Sequence, residues 1–288
     1  MSFSMTILPI IAALLAPEGK FMNRKMQWNA VNKQQEFFLN KYFSKKDELT
    51  NFTEKEIRAW ASQDHNELNK LARDNGFDIQ LQPFKPYEFG SLAIFDVMVK
   101  WLQKGISTRL TYQDKSYKAV KLEDSNFNVY KFAKGIHDQP IVEIKTQSKD
   151  KVYMTIADKE LKDFELLDKI SSLRDQIANK NYRLKSYTDV IFPCIDLNHE
   201  VDISWLIAMY SNGNKITISQ ALQQTKLKMD ETGARVESAV MLGMCRSCYR
   251  LEKQLIIDKP FYIWIERENC SIPVFAGYIE PSDWVKSV

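Results

Sequence analysis

Two short segments near the C-terminus constrain the fold more than any other part of the chain. Lys228-Met229-Asp230-Glu231-Thr232-Gly233-Ala234 reads as a strand that runs out into a tether, and Lys259-Pro260-Phe261 reads as the chain re-entering a sheet. The residues between carry no strong helix stop, and Cys245-Arg246-Ser247-Cys248 lies in their middle as a candidate protease target. A connection of that length, anchored by a strand at each end, is expected to be exposed and functional rather than a passive link.

Periodicity changes once along the 288 residues. Residues 20–75 are polar and helix-prone. The spacing predicts helices over Asn29–Phe43 and Thr53–Ala72, the latter from Ile57, Trp60, Ala61, Leu68 and Leu71, with Thr53 and Glu56 as a capping box. From Phe77 onward the pattern turns strand-like. Leu92–Trp101, Tyr117–Leu122, Val129–Phe132, Ile141–Ile144, Val152–Ile156, Tyr187–Phe192, Lys215–Ile218, Gln224–Met229, Pro260–Glu266 and Pro273–Ile279 are expected strands. One helix interrupts them, Lys159–Ala178, with Leu161, Phe164, Leu167, Ile170, Leu173 and Ile177 on one face. There is no internal repeat and no linker-like stretch, so a single α+β domain over 1–288 is expected.

Composition excludes several functions. A net charge of +3 leaves no electrostatic footprint for nucleic acid. Only 9 glycines occur, and no Gly-rich phosphate loop is among them. The four cysteines, Cys194, Cys245, Cys248 and Cys270, are too few for a disulfide framework, and a lone Cys245-x2-Cys248 is a weak metal signal. His65, His137 and His199 are isolated, so no catalytic or zinc constellation is expected, and neither is a cofactor. Ile7–Ala16 is too short to span a bilayer. Without a basic leader, and with Pro17 directly after Ala16, it reads as a buried helix starting near Pro9 rather than a secretion signal, which slightly favours a cytoplasmic chain. Asn51-Phe52-Thr53 and Asn269-Cys270-Ser271 are formal glycosylation acceptors only if the chain is secreted.

Three C-terminal segments, in order and with near-gapless spacing, resemble motifs of the serpins. They are Asp189–Leu197 with Val201-Asp202-Ile203, Ile218–Ala221 through Thr225–Gly233, and Lys259–Phe261 through Pro273–Gly277. Upstream, Ile141–Ile144 and Tyr153–Asp158 are similar to the family's hairpin region. Ile57-Arg58-Ala59-Trp60 resembles a family helix, Ala93-Ile94-Phe95 with Trp101 a family strand, and Ser4–Ala16 the buried central helix. The family's first helix and some elements within 20–55 have no counterpart, and the excursion at Ser211–Asn214 is shortened.

The resemblance implies a serpin-like fold with a large mixed or antiparallel central sheet, packed helices and a reactive loop from about Ala234 to Asp258. It implies a monomer that is not an enzyme, binds no membrane, and meets a serine or cysteine protease as a suicide substrate. Glu231, Gly233 and Ala234 would be the hinge, and Arg246 and Ser247 would flank the scissile bond. Arg246 as bait would suit a trypsin-like protease, whose pocket carboxylate matches a guanidinium. In an inserted strand Ala234, Val236, Ser238 and Val240 share one face while Arg235 and Glu237 take the other. The alternative is a non-inhibitory binding or decoy protein whose loop does not insert. A gap beside Gln224–Met229 is the structural feature that insertion requires.

Overall fold

The computed structural model describes residues 1–21, 25–86, 88–133, 137–148, 150–180, 182–211, 216–234 and 253–287. Its first elements are strand β1 (Phe3–Met5) and helix α1 (Ile7–Phe21), with Pro9 in the first turn where its missing N–H costs nothing. Leu8 and Ile11 are fully buried and Ile10 and Leu14 nearly so, as a helix enclosed by other elements requires. Helix α2 (Lys33–Lys41) is shorter than the expected Asn29–Phe43. Asn32 starts it, its side chain accepting from Gln35 N at 2.9 Å.

The helix expected over Thr53–Ala72 is a strand and a helix instead: β2 (Ile57–Ser62) and α3 (His65–Asp74). Glu56 Oε2 does accept from Thr53 N at 2.9 Å and Thr53 Oγ1 at 3.0 Å, but the pair closes a turn into a strand. The boundary signal is Asp64, whose carboxylate accepts from Asn66 N at 2.9 Å. Ile57–Trp60 is therefore not a helix: it pairs with strand β3 (Gly90–Phe95), a non-local contact that a local helical spacing cannot report.

Three larger sheets carry most other strands. Seven run antiparallel in the spatial order β1, β19 (Phe275–Ile279), β18 (Phe261–Arg267), β9 (Asp150–Ile156), β8 (Ile141–Ile144), β7 (Phe127–Phe132) and β10 (Tyr182–Leu184). Its middle is buried on both faces, so β8 and β19 are apolar almost throughout. Glu143 is the exception on β8, and its carboxylate accepts from the Tyr130 hydroxyl at 2.6 Å and the Tyr153 hydroxyl at 3.0 Å. Helix α4 (Asp163–Ala178) packs on β19 and β1, and Leu166, Ile170 and Leu173 are among its buried residues.

A second sheet has the order β17 (Gln254–Ile256), β11 (Asp189–Pro193), β6 (Lys115–Glu123) and β5 (Ile106–Tyr112), with β11 and β17 parallel. The chain thus re-enters a sheet at Gln254, ahead of the expected Lys259. The third has the order β12 (Ile195–Val201), β15 (Gln223–Asp230), β16 (Gly233–Ala234) and β4 (Val99–Lys100). β13 (Tyr210–Ser211) and β14 (Ile216–Thr217) form a small hairpin apart from these. The expected central sheet is therefore present in two halves, β12–β15 and β2–β3, joined at one end by β16 and β4.

Candidate functional site

The two halves border a slot. β15 pairs with β12 along Gln223–Met229, but on its other side it meets a strand only at Met229 and Asp230, through β16. β3 pairs with β2 over Gly90–Phe95, and among the described residues no strand lies on its other edge. A cavity of about 720 Å³ runs between β3 and β15. Ile10 and Leu14 of α1 floor it, Leu92 and Leu227 stand in its walls, and Leu81 and Phe84 close it from above. Because β16 pairs on one side with β15 and on the other with β4, the slot at its head is one strand wide.

The turn from Asp230 to Ala234 is held at that head largely by backbone hydrogen bonds. Asp230 Oδ1 accepts from Thr232 N at 2.7 Å and from its hydroxyl at 2.6 Å, folding the chain back on itself. The carbonyl of Glu231 accepts from Gly105 N at 2.7 Å and that of Thr232 from Trp101 N at 3.2 Å. Trp101, 1% exposed, donates its indole N–H to the Asp230 carbonyl at 2.9 Å. Glu231 also faces Lys104, Nζ to Oε1 at 3.9 Å. Gly233 has no room for a side chain: a Cβ there would lie 2.2 Å from the Val99 carbonyl oxygen and 2.8 Å from Lys100 Cα. Cys194, just past β11, feels this turn. Burial first, then the carboxylates of Glu231 and Asp230, push its thiol up to about 11, so at neutral pH it is not a nucleophile.

A strap crosses the slot on its outer side. Residues 77–84 follow α3, and side-chain amides hold them on both flanks. On the α3 flank Asn69 accepts from Leu81 N at 2.8 Å and donates to the Leu81 carbonyl at 3.0 Å. On the β15 flank Gln220 accepts from Gln82 N at 2.7 Å and donates back to its carbonyl at 3.3 Å. Gln224 accepts from Asp78 N at 2.7 Å and donates to Asn198 at 2.7 Å, and Lys226 donates to the Gly76 carbonyl. Each amide offers an acceptor and a donor together, as a neighbouring strand would. On the inner side Gln223 donates to the carbonyl and hydroxyl of Thr6 at 2.9 and 2.6 Å, tying β15 to the start of α1.

The structure thus brings the expected hinge residues Glu231, Gly233 and Ala234 together at the head of the slot. Arg246 and Ser247, with Cys245 and Cys248, lie outside the described residues. The histidines stay apart: His199 Nε2 lies 3.2 Å from Ser4 Oγ, and His137 Nε2 lies 2.7 Å from Thr155 Oγ1. Among the described residues no cluster of three potential metal ligands occurs. Sequence reasoning did not reach Asn69, Gln220, Gln224 or the hinge contacts of Gly105. Gln224 opens the expected strand Gln224–Met229, whereas Gln220 lies ahead of it in the Ile218–Ala221 motif, and neither place signals a contact with residues 77–84.

No family model matches the chain. An alpha-1-antitrypsin-like protein of Tamias sibiricus is 34% identical over 64 residues, a stretch that spans 22% of this chain and 15% of that relative. Solved structures agree much further. Serpin48, a highly specific serpin of the insect Tenebrio molitor, superposes with a TM-score of 0.58 at 14% identity, covering 96% of this chain and 91% of that one. Human thyroxine-binding globulin complexed with thyroxine gives 0.59 at 10% identity over 96% and 91%. Likeness over nearly the whole length at such low identity is likeness of fold.

Proposed function

We propose, for a chain that has the serpin fold, that it offers residues 235–252 to a protease and, once they are cut, draws the freed strand down the slot. The seat of β16 carries this reading: the strand leading into those residues already lies between β15 and β4, with the cavity running on beneath it. The bordering strands turn backbone N–H and C=O groups toward the slot, and a strand continuing from Ala234 would pair with both edges at once. Val236, Ser238 and Val240 suit the face toward α1, while Arg235 and Glu237 suit the strap side. Arg246 is the proposed bait and Arg246–Ser247 the proposed bond, which makes a trypsin-like protease the expected partner.

Trypsin tests the reading directly. A complex that survives denaturing electrophoresis is the expected product. Cleavage within 235–252 without a complex sinks the trapping step, and resistance of those residues to trypsin sinks the recognition step.

A second reading, a non-inhibitory binding or decoy protein, draws on the strap, whose amide pairs tie the roof of the slot to both of its walls. On that reading cleavage leaves the strap in place and the melting temperature unchanged.

A further inference from the structure

We propose that the cavity between β3 and β15 is a binding site for a small apolar molecule that ends in a carboxylate, a fatty acid in its simplest form. Such a site is independent of the reading of residues 235–252. The space suits a hydrocarbon chain better than it suits water. At about 720 Å³ it falls within the roughly 300–1,000 Å³ of pockets that enclose drug-sized ligands. Ile10, Leu14, Leu92, Leu227 and Phe84 give it apolar surfaces on floor, walls and roof. Water gains little against such side chains, whereas an alkyl chain removes its own surface from solvent there.

Arg58 is the polar edge of this space. It stands opposite Ile94 in the β2–β3 pair, as Trp60 stands opposite Leu92, so the four side chains share one face. Leu92 and Ile94 pack there with Leu68 and Ala72 of α3. The partners of the half-buried Arg58 guanidinium are neutral: Nη2 donates to Asn75 Oδ1 at 2.8 Å, and Cζ lies 5.6 Å from the Trp60 ring centroid. None of the ion pairs among the described residues includes it. Its Nε is buried and has no acceptor among the described residues. Trp28 Nε1, Gln223 Oε1 and Thr225 Oγ1, on residues lining the same cavity, also lack partners there. Water can serve those three neutral groups, but it leaves the charge of a guanidinium unmatched. A carboxylate matches it, taking two parallel N–H bonds from one Arg fork. One guanidinium balances the single charge of a carboxylate rather than the larger charge of a phosphate. With the carboxylate on Arg58, the alkyl chain runs past Ile94 and Leu92 into the space between the two sheet halves.

A strand drawn into the slot would take the same space, so binding is measured on the uncleaved chain, with decanoate and, as the uncharged probe of equal length, decanol. Decanoate is expected to bind one per chain, at least about tenfold more tightly than decanol. Arg58→Met, which removes the charge and keeps an unbranched stem, is expected to lose that preference and to retain its affinity for decanol. A bromine beside the carboxylate reports where the head sits: α-bromodecanoate is expected to quench indole emission in the wild type and much less in Trp60→Phe, because Trp60 lies against Arg58. Neither the two-probe comparison nor the quenching requires a change at Arg58, so both decide the matter even if Arg58→Met fails to fold. Equal affinity for the two probes, binding of neither, or a decanoate preference that survives in Arg58→Met overturns the site. Quenching that persists in Trp60→Phe overturns it as well.

Discussion

Gly233 is where a single atom decides a conformation. A methyl group there would meet the Val99 carbonyl oxygen at 2.2 Å, so hinge and β4 cannot both keep their places. Gly233→Ala is expected to lower stability by about 1–3 kcal/mol, read as a lower urea midpoint. The indole emission of Trp101 should move with it, since that ring is bonded to Asp230 in the same turn. Gly233 was legible in the chain because its motif places it there; the carbonyl that excludes a side chain lies more than a hundred residues away and was not.

Two histidines set a pH dependence at the same scale. Burial holds both His137 and His199 below their ordinary value, with Lys169 adding to the effect at His137. Below about pH 6.5 the unfolded chain therefore binds protons that the folded chain refuses, so stability is full above that pH and falls as the pH drops. The urea midpoint should decline from about pH 7.5 to about pH 5, and less steeply in His137→Gln. A flat profile would contradict the assignment.

At the scale of elements, the strap is the part that propensity could not see. Phe77, Ile79 and Leu81 alternate with polar residues as a strand would, yet residues 77–84 join no sheet, and their order comes from the amide side chains of Asn69 on α3, Gln224 on β15 and Gln220 just ahead of β15. Gln220→Ala with Gln224→Ala is expected to speed hydrogen exchange at the amides of Asp78, Ile79 and Gln82. Each lost bond should cost only about 0.5–1.5 kcal/mol of global stability. Unchanged protection at those amides would show that the glutamines do not hold the strap. β2 teaches a related lesson. Ile57, Trp60 and Ala61 fit a helix by spacing, yet six residues pair with β3, because partners far along the chain outweigh a local preference. By contrast β8 and β15 were legible almost to their ends, since continuous burial and strict alternation are written in their own residues.

At the scale of the whole molecule, the slot is a store of unmade pairing. Insertion of about six residues would add on the order of ten backbone hydrogen bonds at about 0.5–1.5 kcal/mol each. At about 2–4 °C per kcal/mol for a chain of this size class, cleavage within 235–252 should raise the melting temperature by at least about 10 °C. Scanning calorimetry before and after cleavage measures it, and an unchanged transition favours the non-inhibitory reading.

Motif order and residue alternation along the chain were enough to establish the α+β class and the serpin-like order of the C-terminal strands, and to single out Glu231, Gly233 and Ala234 as the proposed hinge. Each of those properties resides in side chains adjacent along one strand. The division of the central sheet into two halves, the seat of β16 between β15 and β4, and the strap above the cavity belong to the tertiary structure alone. They depend on which backbone edges find a partner, and that is settled by α1 filling the space beneath the sheet and by amides and carbonyls brought together from distant segments.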